Sequence, residues 1–213
     1  ITYSLAVSFY ILSRFGIALL HKHDDTKLNM KYRPTVSFCV PSMNEGENIR
    51  DTLLKISESN YPKSKFDIIA INDGSTDNTL NEMKTAQRIA KKNGVKMIVV
   101  NWKTNKGKRE GMAECARRSK NTILIYVDSD SLIEPDTAKH LVKYFPNKMV
   151  GAVAGHAYAA NAGVNVVTKM QAVRYYVAFK AYKGAESLFG TVTCCSGCCS
   201  AYRRTYVMAV LEP

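Results

Sequence analysis

Three clusters of polar residues stand directly behind short apolar runs, and their types and spacing allow chemistry on a charged nucleotide. Asp128-Ser129-Asp130 follows ILIYV. Two carboxylates one residue apart at the end of a strand can share one divalent ion, and that ion can neutralise a diphosphate. Their hard oxygen donors suit magnesium or manganese. Asp73 stands in NDGSTDNT, where Gly74 permits a tight turn and Ser75, Thr76 or Asp77 can cap the next helix. At the strand end, before the glycine, the Asp73 carboxylate is expected to point into a crevice and accept hydrogen bonds from the amide edge of a nucleobase. The loop NWKTNKGKREGM gathers Lys103, Lys106, Lys108 and Arg109 around Gly107. Cations at a helix start repel one another and the helix dipole unless an anion is present, and a diphosphate would supply it. Each cluster also has a plainer reading, as a solvated acidic turn, a helix cap or a solvated basic loop. An apolar strand followed by DxDx[ST] also resembles the aspartyl nucleophile of haloacid-dehalogenase-like phosphatases, but those carry it on the first strand, and here three strands precede it.

The elements needed to bring these clusters together are legible in the pattern. From Pro34 onward, short β-type runs alternate with helical ones, which is the signature of a mostly parallel α/β sheet with crossover helices. Strands are expected over 36–40, 66–72, 97–100, 123–127 and 150–154, and helices near 48–59, 78–92, 108–119 and 136–145. Ile49, Leu53 and Ile56 share one helical face, as do Leu80, Met83 and Ala90. Open parallel sheets present functional side chains at the carboxyl ends of their strands, so the three clusters converge on one edge.

Either side of this core the chain reads differently. Residues 1–20 are mostly apolar and aromatic, interrupted by Arg14 and Gly16, and are followed by the polar HKHDDTK. This reads as the end of a membrane-spanning helix entering the cytosol, with Lys22, Lys27, Lys31 and Arg33 on the cytoplasmic side; a core or amphipathic helix is the competing reading. Beyond Gly163, Val166, Met170, Val173, Val177 and Ala181 recur at helical spacing among basic and tyrosine residues, which suits a helix lying in a membrane interface or one packed on the sheet. The expected organisation is a membrane helix end and linker over 1–33, a nucleotide-sugar-binding core over 34–163, and an interfacial helix with the start of an acceptor region over 164–213. The net charge of +12, from 30 Lys and Arg against 18 Asp and Glu, implies anionic partners such as nucleotide phosphates or a lipid surface. No nucleic-acid partner is expected, because no long basic stripe or named motif is present. The six cysteines do not form a secreted disulfide framework, so a reducing compartment fits; the CxxC within CCSGCC is read as packing.

PSMNEGEN, NDGSTDNT, NKGKRE and DSDS, in this order and spacing, resemble the family-two glycosyltransferases, whose catalytic domain has the Rossmann-like GT-A fold. Within that family, GKRE, RYY at Arg174 to Tyr176 and SGCCSAYRR are most similar to the hyaluronan and chitin synthase branch of processive polymerases. The resemblance implies that Pro41, Glu45 and Asp73 line a uridine pocket and that Lys108 meets the donor phosphates. It implies that Asp128 faces the donor sugar and phosphates, that Asp130 ligates the metal, and that Ser196 and Gly197 lie by the acceptor. The implied activity is inverting transfer from a UDP-sugar, N-acetylglucosamine among the candidates, onto a growing glycan at a membrane, with the catalytic domain facing the cytoplasm. Cys198-Cys199 departs from the branch, which more usually has a Pro-Leu-type stretch there. The family's catalytic base and QxxRW-type motif are expected beyond Pro213. Two other functions fit some of the residues: a non-processive family-two transferase acting on a lipid carrier, and a basic nucleotide- or nucleic-acid-binding module without catalysis.

Overall fold

The computed structural model describes residues 2–20, 28–195 and 198–212, and they divide into two compact units. One unit takes Leu28–Gly155 and Ser196–Pro213; the other takes Ile1–Lys27 and His156–Cys195.

The larger unit is built on a six-stranded sheet of order β3-β2-β1-β4-β6-β5. Strands β1 (Val36–Ser42), β2 (Phe66–Asp73), β3 (Lys96–Trp102) and β4 (Ile123–Val127) are parallel, while β5 (Ala152–Ala154) and β6 (Cys199–Arg203) pair antiparallel. All of β1 and β4 is buried, as the continuous apolar runs VSFCV and ILIYV require of strands covered on both faces. One face packs on α2 (Asn48–Ser57), α3 (Thr79–Lys92) and α5 (Thr137–Val142) through Phe38, Val40, Ile68 and Ile125 against Ile49, Leu53, Met83 and Leu141. The other packs on α4 (Lys108–Arg118) and α8 (Arg204–Leu211) through Ile69, Ile71, Leu124 and Tyr126. Burying Ile49, Leu53 and Ile56, all fully covered, contributes about 1.5–3 kcal/mol each.

The chain runs outward from β1 through β2 to β3 and then returns to the other side of β1 as β4. By the general rule for open α/β sheets, this reversal puts the expected ligand crevice at the carboxyl ends of β1 and β4. Register aligns the ends, with Ser42 opposite Asn72 and Asn72 opposite Asn101.

Strands expected from the pattern are all present, with boundaries moved by one to two residues. The exception to legibility is β6: CSAYR lies outside the expected strands, yet it runs antiparallel to β4 from Val127–Cys199 to Ile123–Arg203. Five residues with one cysteine, one serine and an arginine carry too little alternation to signal a strand, and only pairing with an already formed β4 selects it.

In the smaller unit, α1 (Thr2–Leu20) accompanies α6 (Val166–Tyr176), a π-helical turn over Val177–Tyr182 and α7 (Lys183–Leu188). Helix α6 starts at a capping box: the Asn165 side chain accepts from Thr168 N–H, and the Thr168 hydroxyl oxygen accepts from Asn165 N–H, each at 3.0 Å. Phe15 meets Tyr182 edge to face at 6.0 Å, and Arg14 in the apolar helix finds Glu186 at 3.4 Å. With 19 residues, mean hydropathy 1.5 and no buried position, α1 is long and apolar enough to cross a membrane.

Candidate active site

Asp73 closes β2, and only 3% of it is exposed. Its two carboxylate oxygens accept from the backbone N–H groups of Lys106, at 2.6 Å, and Gly107, at 2.9 Å. The carboxylate expected to face the crevice therefore has a second task, holding the basic loop, and the second lone pair of each oxygen remains for a ligand. Gly74 makes that approach possible. Its φ is +70°, and a Cβ there would lie 2.5 Å from Asn105 N.

The loop so anchored delivers Lys108 as the first residue of α4, and its Nζ lies 2.6 Å from Asp128 Oδ1 at the end of β4. A lysine at a helix start opposes the dipole, and here a carboxylate supplies the compensating charge. The four cations expected around Gly107 do not act alike. Lys106 lies over the Trp102 ring at 4.6 Å, Lys103 and Arg109 are exposed, and Lys108 alone of the four pairs with the DSDS turn. Gly111, one turn into α4, brings that helix onto β1, since a Cβ would sit 2.8 Å from Pro41 Cβ.

The DSDS turn is held from the opposite side as well. Ser129 Oγ donates to Glu45 Oε1 at 2.7 Å, and Thr52 Oγ1 of α2 donates to the Ser129 carbonyl at 2.8 Å. Glu45 belongs to a loop tied to the turn after Asp73. Glu45 N–H and Gly46 N–H donate to Thr79 Oγ1 at 2.9 and 3.0 Å, Gly46 N–H also to Asp77, and Asn44 N–H to Ser75 Oγ at 2.9 Å. The Thr79 hydroxyl, then its N–H and that of Gly46, hold the Asp77 carboxyl below the usual carboxylate value. Asp77, one residue ahead of the N-cap Asn78, accepts from the Thr79 N–H that opens α3, and it also braces a neighbouring loop.

PSMNEGEN, NDGSTDNT, NKGKRE and DSDS therefore form one closed circuit of hydrogen bonds around the crevice. Residues 37–211 match the profile described as Glycosyl transferase family 2. The chain belongs to this family. It is 30% identical over 212 residues to a hyaluronan synthase of Streptococcus pyogenes, covering 99% of this chain and 49% of that protein. It is 31% identical over 180 residues to an N-acetylglucosaminyltransferase of Rhizobium meliloti, covering 84% and 41% respectively. The chain spans about half the length of the curated relatives it matches. Among solved structures, a mannosyltransferase from Pyrobaculum calidifontis in complex with GDP-Man and Mn2+ superposes with a TM-score of 0.72 at 22% identity, over 96% of this chain and 57% of that one. S. aureus TarS in complex with UDP-GlcNAc superposes at 0.51 with 23% identity, over 62% and 37%. The fold is the one this family was expected to bring.

In this family-2 domain the carboxylates of Asp128, half-buried, and Asp130, exposed, supply only oxygen donors. Among the described residues no three His, Cys, Asp or Glu side chains are grouped to hold a metal ion alone. Such a donor set fits magnesium or manganese, which bind through one or two carboxylates and complete their shell with water and substrate phosphates. Ser196 and Gly197, the expected acceptor-side residues, lie outside the described residues. Their neighbour Cys199 pairs with Val127 in the sheet, and burial, then the charges of Cys198 and Asp128, push its thiol up to about 12. Sequence reading passed over Thr52, Ser129 and Thr79, whose hydroxyls join the motifs. A lone threonine on the apolar face of α2 was the available signal.

Proposed function

We propose that this chain is the donor-binding part of a membrane-anchored, inverting glycosyltransferase that extends a glycan of hyaluronan or chitin type from a UDP-sugar, with N-acetylglucosamine as the sugar to test first. The observation that carries the reading is the closed circuit: Asp73, Lys108, Asp128 and Glu45 surround one crevice, a cation facing carboxylates where a nucleoside diphosphate and its ion would lie. Identity to a hyaluronan synthase and an N-acetylglucosaminyltransferase supports the choice of donor and product.

In this reading Pro41, Glu45 and Asp73 line the nucleoside side. Lys108 leaves Asp128 to meet the donor phosphates, which are the stronger charge, and offsets the negative charge that grows on the leaving diphosphate. Asp128 and Asp130 would hold magnesium or manganese, which when bound supplies further positive charge to the diphosphate. Asp128, released from Lys108, faces the donor sugar. The acceptor hydroxyl attacks the anomeric carbon from the side opposite the diphosphate and so inverts it; proton removal from that hydroxyl is assigned to none of these residues. Ser196 and Gly197 are assigned to the acceptor side.

Helix α1 is read as the anchor, with the catalytic unit on the cytoplasmic face. Helix α6 exposes Val166, Val167, Met170 and Val173 beside Lys169 and Arg174, the composition of a helix at a lipid surface. The test is calorimetry with UDP in manganese, followed by product sizing with UDP-N-acetylglucosamine in the complete protein. Manganese-dependent UDP binding and a polymer are expected. A single added sugar on a lipid phosphate would replace the processive reading with the non-processive one, and displacement of UDP by a generic oligonucleotide would favour a binding module.

A further inference from the structure

The polar residue that least fits its surroundings is Thr52. It lies in α2 on the stripe formed by Ile49, Leu53 and Ile56, and 1% of it is exposed. A hydroxyl in such a stripe costs stability unless bonded, and valine would fill the same volume without that cost. Buried helical threonines commonly return the hydroxyl to a carbonyl of their own helix. Thr52 instead sends it out of the helix, 2.8 Å to the main-chain oxygen of Ser129, between the two carboxylates of DSDS.

Ser129, 8% exposed, passes the link on: its hydroxyl donates 2.7 Å to Glu45, while Ser131 N–H closes the turn on Asp128 O at 3.1 Å. The turn is thus tethered at its middle carbonyl, at its middle side chain and, through Lys108, at Asp128. Among the described residues, none tethers the exposed Asp130 carboxylate. Its place follows from the backbone that Thr52 and Ser129 hold.

We infer that Thr52 and Ser129 are positioning residues, which touch no ligand but set the spacing between the nucleoside side of the crevice, at Glu45, and its ion and phosphate side, at Asp128 and Asp130. This rests on the proposed function for what the crevice binds, but the tether itself does not. Because one serine serves both sides, the affinities for UDP and for manganese are linked: each ligand strengthens the other by the same factor, and loosening the turn reduces that factor.

The experiment compares wild type with Thr52→Val, Thr52→Ser and Ser129→Ala by amide exchange at Ser131 and by UDP titration with and without manganese. Thr52→Val is near isosteric and leaves the Ser129 carbonyl buried without its donor. We expect its Ser131 amide to exchange roughly tenfold or more faster while β4 amides keep their protection. We expect its UDP affinity in manganese to fall about tenfold, with a smaller loss in EDTA. Thr52→Ser restores both readouts, and Ser129→Ala shows the binding loss even if Thr52→Val folds poorly. Wild-type exchange at Ser131 in both Thr52→Val and Ser129→Ala, or a Thr52→Ser protein as impaired as Thr52→Val, overturns the inference. Absence of UDP binding in wild type would overturn the functional reading instead, and the exchange comparison would still decide the tether.

Discussion

Lys108 Nζ and Asp128 Oδ1 lie 2.6 Å apart, so the first residue of α4 and the first carboxylate behind β4 close on each other across the crevice. The lysine side chain is 58% exposed and the aspartate 27%. A pair this open to water is worth at most about 1 kcal/mol to folding. On the proposed function it is a latch in which Asp128 would take the place of a stronger anion until one arrives. On the proposed function, a bound diphosphate would exchange that one carboxylate partner for phosphate oxygens and would free Asp128 for the donor sugar and the ion.

Lys108→Ala is therefore expected to separate stability from binding. The midpoint of urea unfolding should shift by no more than about 1 kcal/mol. UDP affinity should fall roughly ten- to a hundredfold, the range of a charge-assisted hydrogen bond of about 1.5–3 kcal/mol. Calorimetry at low and moderate salt checks this. A loss of stability larger than the loss of affinity would make Lys108 a structural cation.

Asp130→Asn should act on the ion. Asp130 is exposed, so its neutralisation leaves the core untouched. Manganese should then strengthen UDP binding far less than in wild type, while the affinity in EDTA stays within about twofold, since only an interaction made through the ion is lost. Titrations with and without manganese give the result, and an unchanged manganese effect removes Asp130 as a ligand.

The sequence shows the four parallel strands and the clusters behind them because both signals are local. VSFCV and ILIYV are apolar throughout, Gly74 announces its turn, and a DxD stands out against any background. What it conceals is tertiary. CSAYR becomes β6 only beside β4, and Asp73 gains its task as loop anchor only because residues 104–107 fold back over Gly74. The circuit through Thr79, Glu45, Ser129 and Thr52 joins residues up to 84 positions apart, and no spacing rule reaches that far.

Gly74→Ala tests that folded-back loop. At φ +70° an L side chain costs about 1–2 kcal/mol, and here the added Cβ would also lie 2.5 Å from Asn105 N, so the loop must move. We expect a total loss of about 2–4 kcal/mol in urea unfolding together with weakened UDP binding, because the clash and the strain fall on one turn. Gly94→Ala is the control: its φ is +74° but nothing lies within 4 Å of the added Cβ, so it should show the strain alone and keep its affinity.

The last prediction concerns pH and the smaller unit. The His156 ring stacks on Tyr158 at 4.3 Å and on Phe179 at 5.5 Å. Burial first, and then the charge of Lys180, lower its pKa from the ordinary 6.5, so the folded chain takes up this proton later than the unfolded chain does. Stability contributed by the neutral ring is complete above pH 6.5 and is lost as the pH falls below that value toward the depressed folded one, because there the unfolded state binds more protons. His156→Phe keeps an aromatic ring in the stack and removes the titration. Urea midpoints at pH 7.5 and 5.5 should therefore fall less on acidification in His156→Phe than in wild type, the difference between the two proteins measuring this one group. Equal falls would mean that His156 protonates in the stack as readily as in the unfolded chain.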